Sequence, residues 1–270
     1  MSYATIMVQV DVGRHSASRI KFASHLADRF HARLIGVAAC QPTLPIVLES
    51  TFMDSELMAD AEGRASAVIE QAADHFRATL RGRNNTEWRS ALTQPTEFLI
   101  EQARAADLIV VGREGADDQK DWQLGISAGD LLMGAGRPVL IVPPAQTVPS
   151  SRIVVAWANT REARRATWDA LPLLRAAEEV LVVSVEDAGD DGSAKDVASW
   201  LGRHGATARV ELVSSVQGST TDEILRQADR FGADLIVAGA YGHSRTREWV
   251  LGGVTRQLLE TTPLCCLMSH

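Results

Sequence analysis

Apolar residues along this chain come in short, nearly unbroken runs, and the segments between them carry helical spacing. Ile6 to Val10 is the first run, long enough for a strand and too short for a helix. Ile20, Ala23, Ala27 and Phe30 follow at intervals of three and four, which places them on one helical face. The segment "RLIGVAA" reads as a second strand. A long helix is expected around Ser55 to Arg81, a short strand near Trp88, a helix from Thr96 to Arg104 and a strand from Leu108 to Val111. Strands with near-continuous apolar content are buried on both faces, and their alternation with helices predicts a parallel sheet covered by helices.

The pattern is written twice. "ADLIVVGREG" (Ala106 to Gly115) and "ADLIVAGAYG" (Ala233 to Gly242) are each an apolar run ending in Gly-x-x-Gly, and nine residues then separate the second glycine from a third, Gly125 or Gly252. The three glycines of the second pattern, Gly239, Gly242 and Gly252, stand at one constant offset from Gly112, Gly115 and Gly125. "TIMVQVDVG" and "RIVVAWANT" open the copies; "RPVLIVPP" and "TPLCCLMSH" close them. In the second copy "EVLVVSV", "ARVELVSS" and "LIVAG" are the inner strands, and the stretch after the second strand is shorter. A period this long is a duplicated domain rather than a solenoid repeat. The Pro- and Ser-rich "PPAQTVPSS" marks the boundary, giving domains 1–146 and 151–270. Pro172 interrupts the helical pattern "RRATWDALPLLRAA" and is expected to kink that helix.

Composition narrows the class. The chain of 270 residues is 46% hydrophobic and 23% charged, as for a globular protein with an ample core. Its formal net charge of -7 argues against a broad nucleic-acid-binding face. No apolar run approaches the ~20 residues of a membrane span, and the N-terminus carries no visible secretory signal. Cys40, Cys265 and Cys266 offer neither a disulfide framework nor metal spacing. A cytoplasmic protein with reduced thiols is expected. The adjacent Cys265 and Cys266 should face opposite sides of a strand as core or interface fillers.

The repeated glycine pattern, Gly-x2-Gly-x9-Gly after the fourth strand, resembles the universal stress protein family in its tandem two-domain form, over nearly the whole chain. The resemblance implies an α/β fold of two tandem five-stranded parallel-sheet sandwiches, adenine-nucleotide alpha hydrolase-like, packed as an intramolecular pseudo-dimer. Their last strands, around Val139 to Val142 and Cys266 to Met268, should meet. It also implies that the glycine loop, ending in Gly-(Ser/Thr), holds the phosphates and ribose of ATP, AMP or ADP, with Mg as a possible companion, while an Asp after the first strand contacts the adenine side. In the second copy Gly239, Gly242 and Gly252 match, Gly253 replaces the hydroxyl, and Thr255 fits a further hydroxyl position. His243, Asn159 and Val185 complete the candidate set there. The acid is absent, with Ala158 in its place. In the first copy Asp11, Gly112, Gly115, Gly125 and Ser127 match in part, with Ile126 at the hydroxyl position.

Glycine amides free of side chains, ahead of a helix N-terminus, suit an anion. Charge separates the two loops. His243, Arg245 and Arg247, with Arg161, Arg164 and Arg165 after the first strand, flank the second. The first carries Glu114, Asp117, Asp118 and Asp121 against Arg113 and Lys120. Like charges 4 Å apart cost roughly 4 kcal/mol at an intermediate dielectric, so a nucleotide is expected in the second copy. Two bland readings stay open: Asp11 as a cap of the following helix, and the arginines as a solvated face. No hydrolase elbow, Walker loop or metal cluster of His and Cys is present, so no catalytic residue and no metal ligand is assigned. The expected function is a cytoplasmic stress-response protein that senses an adenine nucleotide. The alternatives are a nucleotide-free scaffold for a protein or small ligand, and a weak ATPase. No nucleic-acid or membrane partner is expected, and a further homodimer is left open.

Overall fold

The computed structural model describes residues 2–44, 55–113, 123–144, 146, 151–186, 192–214, 218–242 and 253–270. The first half runs β1 (Thr5–Gln9), α1 (Ser16–Phe30), β2 (Arg33–Ala39), α2 (Ser55–Thr79), β3 (Thr86–Ala91), α3 (Pro95–Gln102), a 3-10 turn (Ala103–Ala105), β4 (Leu108–Gly112), α4 (Ala128–Gly134) and β5 (Val139–Val142). The second runs β6 (Arg152–Trp157), α5 (Arg161–Asp169), α6 (Leu171–Ala176), β7 (Glu179–Glu186), α7 (Ser193–Arg203), β8 (Ala208–Ser214), α8 (Thr220–Phe231), β9 (Leu235–Gly239), α9 (Gly253–Thr261) and β10 (Cys265–Ser269).

The ten strands form one sheet in the order β3-β2-β1-β4-β5-β10-β9-β6-β7-β8. Read from either edge inward, both halves have the same order, as a duplicated domain must. Within each half every pairing is parallel. The seam is antiparallel: Cys266 opposes Ile141, Leu267 opposes Leu140 and Met268 opposes Val139. Last strand meets last strand, as the tandem reading expects. All six of these side chains are fully buried. Covering a large aliphatic chain stabilises by about 1.5–3 kcal/mol, so the seam is a core in its own right and removes two sheet edges.

Strand alternation sorts the core onto two faces. Ile6, Val8, Leu108, Leu140, Val155 and Cys265 pack on one face. Met7, Ile109, Ile141, Val154 and Cys266 pack on the other, so the adjacent cysteines do face opposite ways. Helix ends follow local chemistry. Gln94 and Thr160 accept the amides of Glu97 and Ala163 at the starts of α3 and α5. Ser219 and Asp222 form a reciprocal capping box at α8, which Gly232 ends in the left-handed region at φ 66°. The helical pattern around Pro172 breaks instead of kinking: α5 stops at Asp169, and Pro172 sits in the first turn of α6, where its missing N–H has no partner to lose.

In the first half the chain moves outward from β1 to β2 and β3, then returns to β4 on the other side of β1. The crevice between β1 and β4 is therefore the switch point where sheets of this kind take ligands. In the second half it lies between β6 and β9. The carboxyl ends at these points are Gln9 to Asp11 with Gly112, and Trp157 to Asn159 with Gly239.

Candidate functional site

The two switch points are built differently. In the first half Asp11 follows β1, and α1 places Arg19 across from it. Arg19 Nη2 is 2.6 Å from Asp11 Oδ2, with side-chain exposures of 8% and 15%. Its Nε donates to the Gln9 carbonyl at 2.9 Å. Asp11 Oδ1 also accepts the Gly13 amide at 3.0 Å, and Gln9 Nε2 donates to Oδ2 at 3.3 Å. Burial pushes the Asp11 carboxyl up, but Arg19, Gly13 and Gln9 outweigh it and hold the group below its ordinary value. Asp11 does not cap α1, whose N-cap residue is His15. Its bond to Gly13 tightens the turn ahead of that helix.

Gly112 ends β4, and a side chain there would begin 2.7 Å from Arg19 Nη1. The space that this glycine leaves is taken by the arginine. Ser127 is the N-cap of α4, its hydroxyl accepting the Asp130 amide at 3.3 Å. Gly125, half-buried, precedes it; Gly115 lies outside the described residues. Beside Gln9 a shallow recess, open to solvent, is lined by Val37, Ala38, Leu99, Leu124 and Ile126 among others. Among the described residues of this half the acid, the glycine and the hydroxyl are all engaged within the protein.

In the second half β9 ends at Gly239, and a side chain there would meet the Ala163 nitrogen at 2.5 Å and the Glu162 carbonyl carbon at 2.7 Å. This glycine lets the start of α5 lie directly on the sheet. A side chain on Gly242 would begin 3.1 Å from Thr160 Oγ1 and 3.2 Å from Glu162 Oε2. Glu162 is 5% exposed and ion-paired with Arg161. Burial pushes its carboxyl up, yet the bonds from Arg161, its own backbone and Thr160 leave it below the ordinary range, so it is ionised at neutral pH. The basic flank is also partly used locally: Arg161 reaches His270 at 3.3 Å, Arg164 bonds Asn159 Oδ1 at 2.9 Å and Arg165 pairs with Asp169 at 2.9 Å.

α9 begins at Gly253, which is exposed and has open space where a side chain would stand. Thr255 is buried in its first turn and accepts the Tyr241 amide at 3.2 Å. Tyr241 itself has φ 60°, a left-handed conformation that costs a non-glycine residue on the order of 1–3 kcal/mol and recurs at ligand clamps. Its hydroxyl reaches the first half, 2.8 Å from where a side chain on Gly129 in α4 would begin. Val185 is half-buried near the end of β7, opposite Val213. His243 and Gly252, like Arg245 and Arg247, lie outside the described residues.

Arg19, Glu162 and Tyr241 are the site residues that the sequence pattern missed. Arg19 carries a legible signal, because it falls one turn before Ala23 on the apolar stripe of α1, where a cation needs a buried partner. Glu162 sits among the counted arginines. Nothing in the spacing marks Tyr241. Among the described residues no group of His, Cys, Asp and Glu is arranged to hold a metal ion, and no helix is long and apolar enough to cross a membrane.

Comparison with known proteins bears on this architecture. Among curated proteins no significant match was found. A universal stress protein from Archaeoglobus fulgidus DSM 4304 superposes with a TM-score of 0.72 at 16% identity, covering 98% of this chain and 96% of that one. A protein of unknown function from Pseudomonas aeruginosa PAO1 gives a TM-score of 0.61 at 17% identity, covering 99% and 92%. A universal stress protein solved in complex with cAMP matches 53% of this chain and 98% of its own, at 25% identity and a TM-score of 0.36. The profile of the universal stress protein family matches twice, over residues 2–143 and 149–270. With the duplicated strand order and the antiparallel seam, these two matches establish that the chain belongs to the universal stress protein family, in tandem two-domain form.

Proposed function

We propose that this chain is a cytoplasmic stress-response regulator that takes an adenine nucleotide in its second half, with the phosphates at the N-terminus of α9. The observation that carries the reading is the contrast between the halves. In the first, Arg19 closes over Asp11 and Gly112. In the second, Gly253 stands exposed at a helix start, and no described residue lies within 4 Å of where a side chain on it would begin. A helix N-terminus presents unpaired amides and a partial positive charge, which suits phosphate. Nucleotide binding would act by favouring whichever conformation of the chain binds it more tightly. Asn159, Val185, Gly239, Gly242, His243, Gly252 and Thr255 remain the proposed surroundings, ATP, ADP or AMP the proposed ligands, and Mg a companion of the phosphates. No hydrolytic role is assigned to any residue.

Glu162 favours a second reading. An ionised carboxylate beside Gly242 opposes phosphate there, and Gly239 is explained by the packing of α5. A scaffold that recognises a protein without nucleotide would look the same at these two positions.

Thermal unfolding with ATP, with AMP and without ligand separates the readings. ATP at about 100 times its dissociation constant should stabilise by about 2.7 kcal/mol. Gly253→Glu should abolish that gain without lowering the ligand-free transition, because no described residue stands where its side chain begins. No shift with either nucleotide at millimolar concentration would leave the scaffold reading standing, and phosphate release accompanying a shift would add ATPase activity.

A further inference from the structure

Trp168 at the end of α5, Trp200 in α7 and His204 just beyond it form an aromatic cluster on the surface of the second half. Ring centroids are 5.9 Å apart for Trp168 and Trp200, 4.4 Å for Trp200 and His204, and 6.0 Å for Trp168 and His204. Trp200 packs against the core, so the platform is anchored. Trp168 is 41% exposed. A large aromatic side chain left this open gives up much of its burial energy, and among the described residues the other exposed large hydrophobics are aliphatic.

Arginines ring the cluster. Arg164 lies one turn before Trp168 and Arg203 one turn after Trp200, and residues so spaced share a helix face. Arg175 comes within 3.9 Å of where a side chain on Gly205, the neighbour of His204, would begin. Arg164 and Arg203 bond only the neutral Asn159 and Ser199. Among the described residues none of the three forms an ion pair, whereas Arg165 is already paired with Asp169. Asp196 lies one turn before Trp200 in α7, and Glu178 three residues after Arg175. A stack of rings beside unpaired guanidinium groups has the composition of a binding hot spot, in which Trp and Arg dominate.

We infer that the Trp168–Trp200–His204 face is a docking surface for an acidic protein segment carrying an apolar anchor, which seats on Trp168 while its carboxylates meet Arg164, Arg175 and Arg203. Charge complementarity selects this occupant: the chain is net acidic, so a local patch of unpaired arginines stands out against its surroundings and steers an acidic partner. The surface adjoins the proposed nucleotide site through Arg164, which bonds Asn159, and Trp168, Trp200 and Arg203 lie outside that site.

The test is fluorescence anisotropy with a fluorescein-labelled synthetic peptide in which Glu and Asp flank a Leu-Phe pair. The full chain should give a saturable rise that weakens with added salt. Trp168→Ala and Arg203→Glu should each weaken binding about tenfold or more, with far-UV circular dichroism unchanged and only a modest fall in melting temperature from the lost ring contacts and the charge at the end of α7. Leu92→Ala, at an exposed aliphatic site in the first half, should bind like the parent. The proposal is overturned by the absence of a saturable rise, by equal affinity of Trp168→Ala, or by equal binding of the Gln and Asn version of the peptide. It is also overturned if labelled oligothymidylate binds this face and the peptide does not.

Discussion

Arg19 Nη2 stands 2.6 Å from Asp11 Oδ2, and Nη1 of the same guanidinium lies 2.7 Å from the point where a side chain on Gly112 would begin. One arginine thereby occupies both features that the glycine pattern offers a ligand in the first half. The pair is nearly buried, so its members depend on each other: breaking such a pair by removing one partner costs about 3–5 kcal/mol. Arg19→Met should lower stability by about that amount in urea unfolding. The double variant Asp11→Asn, Arg19→Met should recover most of the loss, because no charge is then left buried. Equal losses in both would show that the arginine matters for packing alone.

The same pair makes the first half acid-sensitive. The folded-state pKa of Asp11 is depressed below its unfolded value. Its contribution is therefore present above the unfolded value of about 3.9 and is lost as pH falls through the folded one. Stability measured from pH 6 downward should fall more steeply below about pH 4 for the parent than for Asp11→Asn. Parallel curves would contradict the pairing.

The glycines of the second half divide by what surrounds them. Gly239→Ala drives a methyl into the backbone of α5, at 2.5 Å from the Ala163 nitrogen. It should cost about 1–3 kcal/mol, the range for overpacking. Gly253→Glu meets nothing within 4 Å and adds a negative charge at a helix start, worth about 0.3–1 kcal/mol in favour. Chemical denaturation of the two variants should move in opposite directions.

The thiols give a check on the seam. Cys265 and Cys266 are fully buried and Cys40 nearly so. Burial, with Asp234 adding to it, pushes the Cys265 thiol up to about 12, and burial raises Cys266 as well. A thiol reagent at pH 8 should label none of them in the native chain and all three in denaturant, since the thiolate is the reactive form. Rapid native labelling of Cys266 would mean that β10 leaves β5.

The architecture was legible because it rests on periodicity. The duplicated apolar runs predict β1 to β10 in order, and the closing segments Val139 to Val142 and Cys266 to Met268 do meet. The site was legible only in part, because a glycine's spacing does not reveal what approaches it. Gly112 and Gly239 match the phosphate pattern equally well, yet the first is faced by a guanidinium and the second by a helix backbone. Counting Arg161, Arg164 and Arg165 as a free basic flank passed over Glu162 and Asp169, to which two of them are tied. Those contacts depend on which helix face meets the sheet, and the linear order of charges does not carry that. The left-handed Tyr241 is set by Thr255 in a different element, so it too lay beyond local reading.

The most direct test of the account is the stoichiometry of ATP binding by titration calorimetry on the full chain, on Asp11→Asn and on Gly253→Glu. The account predicts one nucleotide per chain for the parent, the same for Asp11→Asn and none for Gly253→Glu. Two nucleotides per chain, loss of binding in Asp11→Asn, or no binding to the parent would contradict it.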